Sequence, residues 1–392
     1  MILSKLKINY FPELKALLIG RAKPSMVSVN LTEKCNQKCI YCEIGINSSS
    51  QHADRLTKED LYWIIDQMYI HKLTRLSLCG GEPFLFSGIV DVVAYAWKNN
   101  IRCNITSNGM IVGELTEGEL RILKDCKTAI NISVDSFEDS IQIKTRGVKL
   151  ALTNALHSIL RLRQMGIPVT VLSAISKYNY HDLYNSFIKA YEYGIDQVLY
   201  QPIIYYPNFP DRQVIENKSQ LNVEIENVEL LIDQLEKITK FERKHKINTN
   251  VYRIIPWIRC YIRVAAGLTN RFFFNELLNK FYCREVYAII DIDYNGGIQP
   301  CGLLKAEINI HNNKEFGLLD LWSEATENLK NDLSKNRYPD CCNGCCHKFS
   351  KNMLFSIAKY PIANRTTLVK VLLLLFIRVV SRLKKKLFIK NK

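Results

Sequence analysis

Residues 25–42 read SMVSVNLTEKCNQKCIYC. The first seven are a short apolar, β-branched run, the signature of a strand over 25–31. Directly behind it stand three cysteines, Cys35, Cys39 and Cys42, in the spacing Cys-x3-Cys-x2-Cys. Zinc and iron–sulfur sites that only hold a fold close their metal with four protein ligands. Three thiols leave either an incomplete motif or an open coordination position, and an open position is what catalysis needs.

Downstream, the strand-then-helix pattern repeats. Apolar, β-branched runs at 73–79, 101–107, 128–134, 167–174 and 196–202 alternate with amphipathic stretches of helical length. TKEDLYWIIDQMYIHK (57–72) begins with Thr57 ahead of Glu59 and Asp60, residues that suit a helix N-terminus. VKLALTNALHSILRLRQMG (148–166) stops at Gly166, a natural helix end. Six βα units predict an open or partial TIM-like barrel, whose working face lies at the C-terminal ends of its strands. The cysteine triplet falls on that face.

At 392 residues the chain exceeds one usual core, so two domains or one domain with appendages is expected. Its 47% apolar content excludes a mostly disordered chain. Thirteen cysteines are present; Cys79, Cys103 and Cys126 sit in apolar sequence and are read as inert core residues. MILSKLKINYFPELK opens with charges where a signal peptide needs an apolar run, which points to a reducing, cytoplasmic setting and to thiols as metal ligands. The net charge of +15 belongs to the ends: residues 351–392 hold eleven Lys or Arg and no acid, and residues 1–25 hold five bases and one acid. The body, 26–350, is neutral, which disfavours a nucleic-acid partner.

The triplet, with Tyr41 just before its last cysteine and a first strand just ahead of it, resembles that of the radical S-adenosylmethionine (SAM) enzymes. The resemblance implies that Cys35, Cys39 and Cys42 hold three irons of a [4Fe–4S] cluster. The fourth iron would chelate the amino and carboxylate groups of SAM. Reductive cleavage would then yield a 5′-deoxyadenosyl radical that abstracts hydrogen from a substrate, with flavodoxin or ferredoxin as an electron donor. The alternatives for three cysteines alone are a partial zinc site or a coincidence of core residues. LSLCGGEPFLF (76–86) is similar to the family's GGEP segment, Gly80, Gly81, Glu82 and Pro83, which holds the SAM amino group with backbone carbonyls and a carboxylate. An ammonium carries only donors, so acceptors are required there. Two glycines allow a sharp turn and close backbone approach. By the same resemblance Ser107, Asn108, Ser133, Asp135 and Arg146 match positions that touch the SAM ribose and carboxylate, Arg146 through its donor fork. Capping or surface solvation is the alternative for each.

Residues 206–282 read as a helical linker or insert, more scaffold than site. Cys283, Gly296 and Cys301 fit Cys-x12-Gly-x4-Cys, with a hairpin implied at DYNGG. YPDCCNGCCHKF adds Cys341, Cys342, Cys345 and Cys346. This pattern over 283–350 resembles the auxiliary modules called SPASM and twitch, here the shorter twitch type with one further [4Fe–4S] cluster on Cys283, Cys301, Cys342 and Cys345. The doubled cysteines leave the register open to Cys341 or Cys346, and zinc is an alternative metal. The tail 351–392 is basic and amphipathic. Its longest apolar run, 371–377, is far short of the about 20 residues a span needs. Lys370, Arg378, Arg382, Lys386 and Lys390 recur at multiples of four, as on a helix lying against an anionic membrane surface; a helix packed on the barrel or a nucleic-acid arm is the alternative. The preferred substrate is therefore a lipid or lipid-linked sugar at the inner face of the membrane. A peptide or protein substrate is the second reading, and a non-enzymatic metal-stabilised binding or electron-transfer protein the third.

Overall fold

Six parallel strands carry the fold: β1 (Met26–Asn30), β2 (Arg75–Cys79), β3 (Arg102–Ser107), β4 (Ala129–Ser133), β5 (Val169–Ile175) and β6 (Gln197–Pro202). Each stands within two residues of the limits expected from sequence. Between them run α1 (Lys58–Ile70), α2 (Ile89–Lys98), α3 (Glu117–Asp125), α4 (Asp139–Arg146), α5 (Ala151–Gln164) and α6 (Leu183–Glu192). The computed structural model describes residues 24–42, 44, 55–203, 221–245, 247–266, 281–283, 285–335, 337–339, 342, 345 and 348–350. The basic N-terminal segment (apart from Pro24 and Ser25), the tail 351–392, Cys341 and Cys346 lie outside them.

Local chemistry sets the element ends. Thr57 caps α1: its hydroxyl accepts from the Asp60 amide at 3.1 Å, and the Asp60 carboxylate accepts from the Thr57 amide at 2.9 Å. Gly166, two residues past α5, adopts φ +75° and reverses the chain into β5. Along each strand, alternate residues face opposite ways. One set, including Val27, Val29, Leu76, Leu78, Ile105, Ile130 and Ile132, is at most 1% exposed and packs on Leu61, Ile64, Ile65 and Met68 of α1 and their counterparts. The other set faces the concave side of a partial (βα)6 barrel and is half-buried, as at Ser28, Asn30, Ser77, Asn104, Thr106, Asn131 and Ser133.

The sheet does not stop at six strands. Beyond β6 lies the short β7 (Asn248–Thr249), between α7 (Val228–Glu242) and α8 (Val251–Ala265). Beyond β1 the C-terminal segment continues the same sheet. It supplies β8 (Phe281–Cys283), α9 (Glu285–Ala288), β9 (Ile289–Ile292), β10 (Gly297–Gln299), β11 (Ile308–Asn309), α10 (Leu318–Ser334) and β12 (Lys348–Ser350). Strand β9 pairs in parallel with β1, Ser28 opposite Asp291, and β10 folds back on it through a turn with Gly296 at φ +80°. The order is β11-β10-β9-β1-β2-β3-β4-β5-β6-β7, ten strands in all. Trp322 of α10, 3% exposed, donates its indole N–H to the Ile289 carbonyl at 2.9 Å and ties α10 to β9 within that extension. Strands β8 and β12 form a separate antiparallel pair. Among the described residues no helix is long and apolar enough to cross a membrane.

Candidate functional site

The loop after β1 carries Cys35 and Cys42, both half-buried, and Cys39, buried. Each of the Cys35 and Cys39 thiols lies within electrostatic reach of the other members of the trio. Two docking seams hold this loop. On one side the Gly81 amide donates to the Thr32 carbonyl at 2.7 Å, and the Glu82 amide to the Lys34 carbonyl at 2.8 Å. On the other, the Lys38 and Ile40 amides donate to the Arg146 and Thr145 carbonyls at the end of α4, both at 3.1 Å. Glycine is required at both seams. A Cβ on Gly81 would lie 2.2 Å from the Lys34 oxygen, and one on Gly147 2.3 Å from the Lys38 oxygen, with Gly147 also at φ +72°.

Glu82, expected from sequence to accept from a SAM ammonium, is hydrogen-bonded within the fold. It is 0% exposed, and its oxygens accept from the Ser107 hydroxyl at 2.8 Å, the Asn108 amide at 2.7 Å and the Phe84 amide at 3.1 Å. Glu82 therefore braces the tip of β3 against the glycine turn. Pro83 opens a short 3-10 turn, Pro83–Leu85, where its missing N–H costs nothing. Burial pushes the Glu82 carboxyl up to about 7, against the pull of its three donors. Ser107, 1% exposed, is committed to this brace, whereas Asn108 reaches the cysteine loop. The Asn108 side-chain amide donates to Asn36 Oδ1 at 2.7 Å and lies 3.8 Å from Cys35 Sγ.

Asp135 and Arg146, expected from sequence at a SAM ribose and carboxylate, pair with each other in the fold. Asp135, 1% exposed, accepts from the Tyr41 hydroxyl at 2.5 Å, an Arg146 guanidinium N–H at 2.6 Å and the Ala174 amide at 2.9 Å. Arg146 thus makes an internal ion pair, and its other terminal nitrogen lies 3.9 Å from Cys39 Sγ. Burial opposes the Arg146 charge, but Asp135, Tyr41 and Cys39 more than offset it and hold its pKa above the usual value. Ser133 keeps its place on the half-exposed concave face at the tip of β4. Sequence reasoning passed over the residues that complete this network. Gln142, 0% exposed, accepts from the Asp135 amide at 2.8 Å, and Asn179 donates to the Asp135 carbonyl at 2.8 Å. Neither stands in a motif; only their burial among polar partners marks them. Cys79 is a further correction. Its thiol donates to Asn30 Oδ1 at 3.2 Å on the concave face, so it is not in apolar surroundings, whereas Cys103 and Cys126 are core residues.

Tertiary pairing brings Cys283, Cys301 and Cys342 to the surroundings of one small apolar cluster. Cys283 in β8 stands opposite Lys348 in β12, and Cys342 and Cys345 lie just ahead of β12. Cys283 and Cys301 pack against the same small cluster of Val286, Leu329 and Leu333. Tyr338 lies in the electrostatic range of both Cys283 and Cys342. Among the described residues no three His, Cys, Asp or Glu side chains close on a point as ligands of one ion would.

The donor set around the first trio suits an anionic iron–sulfur group. It offers three thiols, an amide donor near Cys35 and a buried guanidinium near Cys39. Burial raises the Cys35 thiol and pushes Cys39 up to about 11, so both hold protons near neutral pH and release them on metal binding.

Two predictions follow from this geometry. Gly81→Ala and Gly147→Ala, each forcing a Cβ into loop backbone, should cut iron and sulfide incorporation at least several-fold. Gly302→Ala, with nothing within 4 Å of its new Cβ, should load normally. Iron and sulfide analysis with circular dichroism separates lost loading from lost fold. Glu82 yields a pH test: its folded pKa of about 7 exceeds its ordinary 4.5, so the fold binds that proton more tightly than the unfolded chain. This group alone then lowers stability as pH rises from about 4.5 to about 7. Glu82→Gln should remove that part of the slope. It also sets an amide N–H against the donors around it, lowering stability by about 2 kcal/mol. Unfolding of apo-protein followed across this pH range reads both, and an unchanged slope would refute the assignment.

Comparison with known proteins agrees with this architecture. Residues 29–190 match the model of the Radical SAM superfamily. The AdoMet-dependent heme synthase of Methanosarcina barkeri is 22% identical over 332 residues, 82% of this chain and 91% of that protein. The sporulation killing factor maturation protein SkfB of Bacillus subtilis is 26% identical over 157 residues, 40% of this chain and 37% of that one. Streptococcus suis SuiB, solved with S-adenosylmethionine, shares the fold at a TM-score of 0.58 and 16% identity, over 78% of this chain and 68% of its own. The strand order, the cysteine loop docked at the strand tips and these matches agree: residues 29–190 form a Radical SAM domain, whose superfamily uses a [4Fe–4S] cluster and S-adenosylmethionine.

Proposed function

We propose that the protein abstracts hydrogen from a polar substrate, a peptide or protein side chain, held on the concave face of the barrel. Bound together, the cluster and SAM supply the radical; the chain's own work is to position both and to hold the substrate. The observation that carries the substrate class is the chemistry of that face. Small barrels commonly fill their interior with bulky branched side chains. Here Asp291, Ser28, Ser77 and Asn104 stand in one register across β9, β1, β2 and β3. Thr106, Asn131, Thr170 and Gln197 stand in another across β3 to β6, joined by bonds of 3.0 Å from Asn131 to Thr106 and from Thr170 to Gln197. Leu172 and Leu199 are the apolar members of the inner set nearer the strand tips. Such a surface matches amide and hydroxyl groups better than acyl chains.

SkfB, named as a maturation protein, and SuiB, also solved with the precursor peptide SuiA, support the peptide class. A tetrapyrrole is the second reading, favoured by the heme synthase relative, whose match extends over most of both chains. The lipid-linked branch rests on the tail, 366–392, outside the described residues. Cys283, Cys301, Cys342 and Cys345 are proposed to hold an auxiliary [4Fe–4S] cluster at the β1 side of the sheet, with flavodoxin or ferredoxin as reductant.

Anaerobically reconstituted protein with reductant and SAM should release 5′-deoxyadenosine. The Cys35→Ala/Cys39→Ala/Cys42→Ala variant should release none above background, and undiminished cleavage there would sink the assignment. Iron and sulfide should each reach about eight per chain, falling to about four in that variant. Stoichiometric zinc would instead make the second group a structural site. Peptide pools and iron-coproporphyrin, offered in parallel, divide the two substrate readings by which one raises 5′-deoxyadenosine output and changes mass.

A further inference from the structure

Arg146 joins the buried Asp135 network to the cysteine loop. Its guanidinium is 7% exposed and spans two partners, with one terminal nitrogen 2.6 Å from Asp135 Oδ1 and the other 3.9 Å from Cys39 Sγ. Among the described residues its Nε, buried, has no hydrogen-bond partner. The guanidinium carbon lies 5.6 Å from the centroid of the Tyr41 ring, so the charge sits between the Tyr41 ring and the Cys39 thiol.

The arrangement leaves a net positive field at Cys39. Asp135 would neutralise Arg146 if the two were alone, but it also accepts from the Tyr41 hydroxyl at 2.5 Å and the Ala174 amide at 2.9 Å. At Cys39 the charge of Arg146, 3.9 Å from the sulfur, outweighs the opposing charge of Asp135. The thiol side of the guanidinium carries no such competitor among the described contacts. Inside a protein of low dielectric, a fixed cation beside a sulfur acts strongly. Reduction of a cluster adds a negative charge, so a cation or N–H donor at a ligating sulfur stabilises the reduced form. Hydrogen bonds to sulfur and local charge are among the levers that set cluster potentials.

We propose that Arg146 is a positioning residue that raises the reduction potential of the SAM-binding cluster through Cys39, keeping that cluster within reach of its electron donor. This rests on the reading of Cys35, Cys39 and Cys42 as its ligands. The backbone of the same residue docks the loop, its carbonyl accepting from the Lys38 amide at 3.1 Å, so loop position and cluster potential are set by one residue.

The test is an EPR-monitored redox titration of the reconstituted full chain, following the signal that changes when SAM is added. That choice separates this cluster from any auxiliary one. Arg146→Gln removes the charge and should shift the midpoint to more negative potential at unchanged iron content. Asp135→Asn/Arg146→Gln removes both charges of the buried pair, which spares the fold an orphaned carboxylate, and should shift it the same way. Arg146→Lys keeps a cation there and should stay closer to the native value. Equal midpoints in native and Arg146→Gln protein would overturn the proposal, as would equal shifts in the Lys and Gln variants. If neither neutral variant retains iron while the Lys variant does, Arg146 is a clamp for the loop and the proposal also falls. Absence of any SAM-responsive signal in the native protein would instead strike at the cluster reading beneath it.

Discussion

Two backbone hydrogen bonds, from Gly81 to Thr32 and from Glu82 to Lys34, join the loop after β1 to the turn after β2. They form only because the chain at 80–81 lacks side chains: a Cβ on Gly80 would lie 2.7 Å from the Thr32 oxygen, one on Gly81 closer still to Lys34. Everything chemical in the molecule is referred to this seam. It places three thiols over the strand tips, hands the Glu82 carboxylate to the end of β3, and leaves Asn108 beside Cys35. A glycine pair is thus first a docking surface for the cysteine loop, before any ligand is considered.

Polar groups buried behind the loop do the work that an apolar core does elsewhere. Glu82 and Asp135 are each buried and each saturated, one by Ser107, Asn108 and Phe84, the other by Tyr41, Arg146 and Ala174. Unpaired, either carboxylate would cost several kilocalories per mole; paired, each fixes several strand tips in one geometry. The loop is short and carries few apolar side chains of its own. Directional bonds therefore hold it where hydrophobic burial cannot. The ion pair has a second consequence, because its cationic end faces the Cys39 thiol.

The C-terminal segment adds strands to the barrel instead of standing apart from it. Ser28 of β1 is flanked by Ser77 on one side and Asp291 on the other, so the concave face runs unbroken into the segment that bears Cys283 and Cys301. Asp291 accepts from the Ser28 hydroxyl and from the Gly302 amide, one residue beyond Cys301. Burial, with Glu285 nearby, pushes its carboxyl up to about 7.

The elements of the fold were legible because each is written locally. Six β-branched runs, the Thr57 cap and the helix stop at Gly166 depend on residues a few positions apart, and so does the Cys-x3-Cys-x2-Cys spacing. The family, and with it the cofactors, follows from those local marks. The internal partners of Glu82, Asp135 and Arg146 were not legible, because residue type announces charge but not who neutralises it. Their partners lie 25, 94 and 11 positions away in the chain, as Ser107 to Glu82, Tyr41 to Asp135 and Arg146 to Asp135. Cys79 was misplaced for a related reason, since strand alternation decides its face and only the barrel's curvature makes that face polar space. The joining of β9 to β1, 263 residues apart at the Ser25–Ala288 contact, has no local signature at all. Sequence by itself determined which chemistry the chain can perform, because ligand atoms and backbone freedom are properties of single residues. The tertiary structure decided which side chains are free to take part, because burial and pairing are properties of the whole fold.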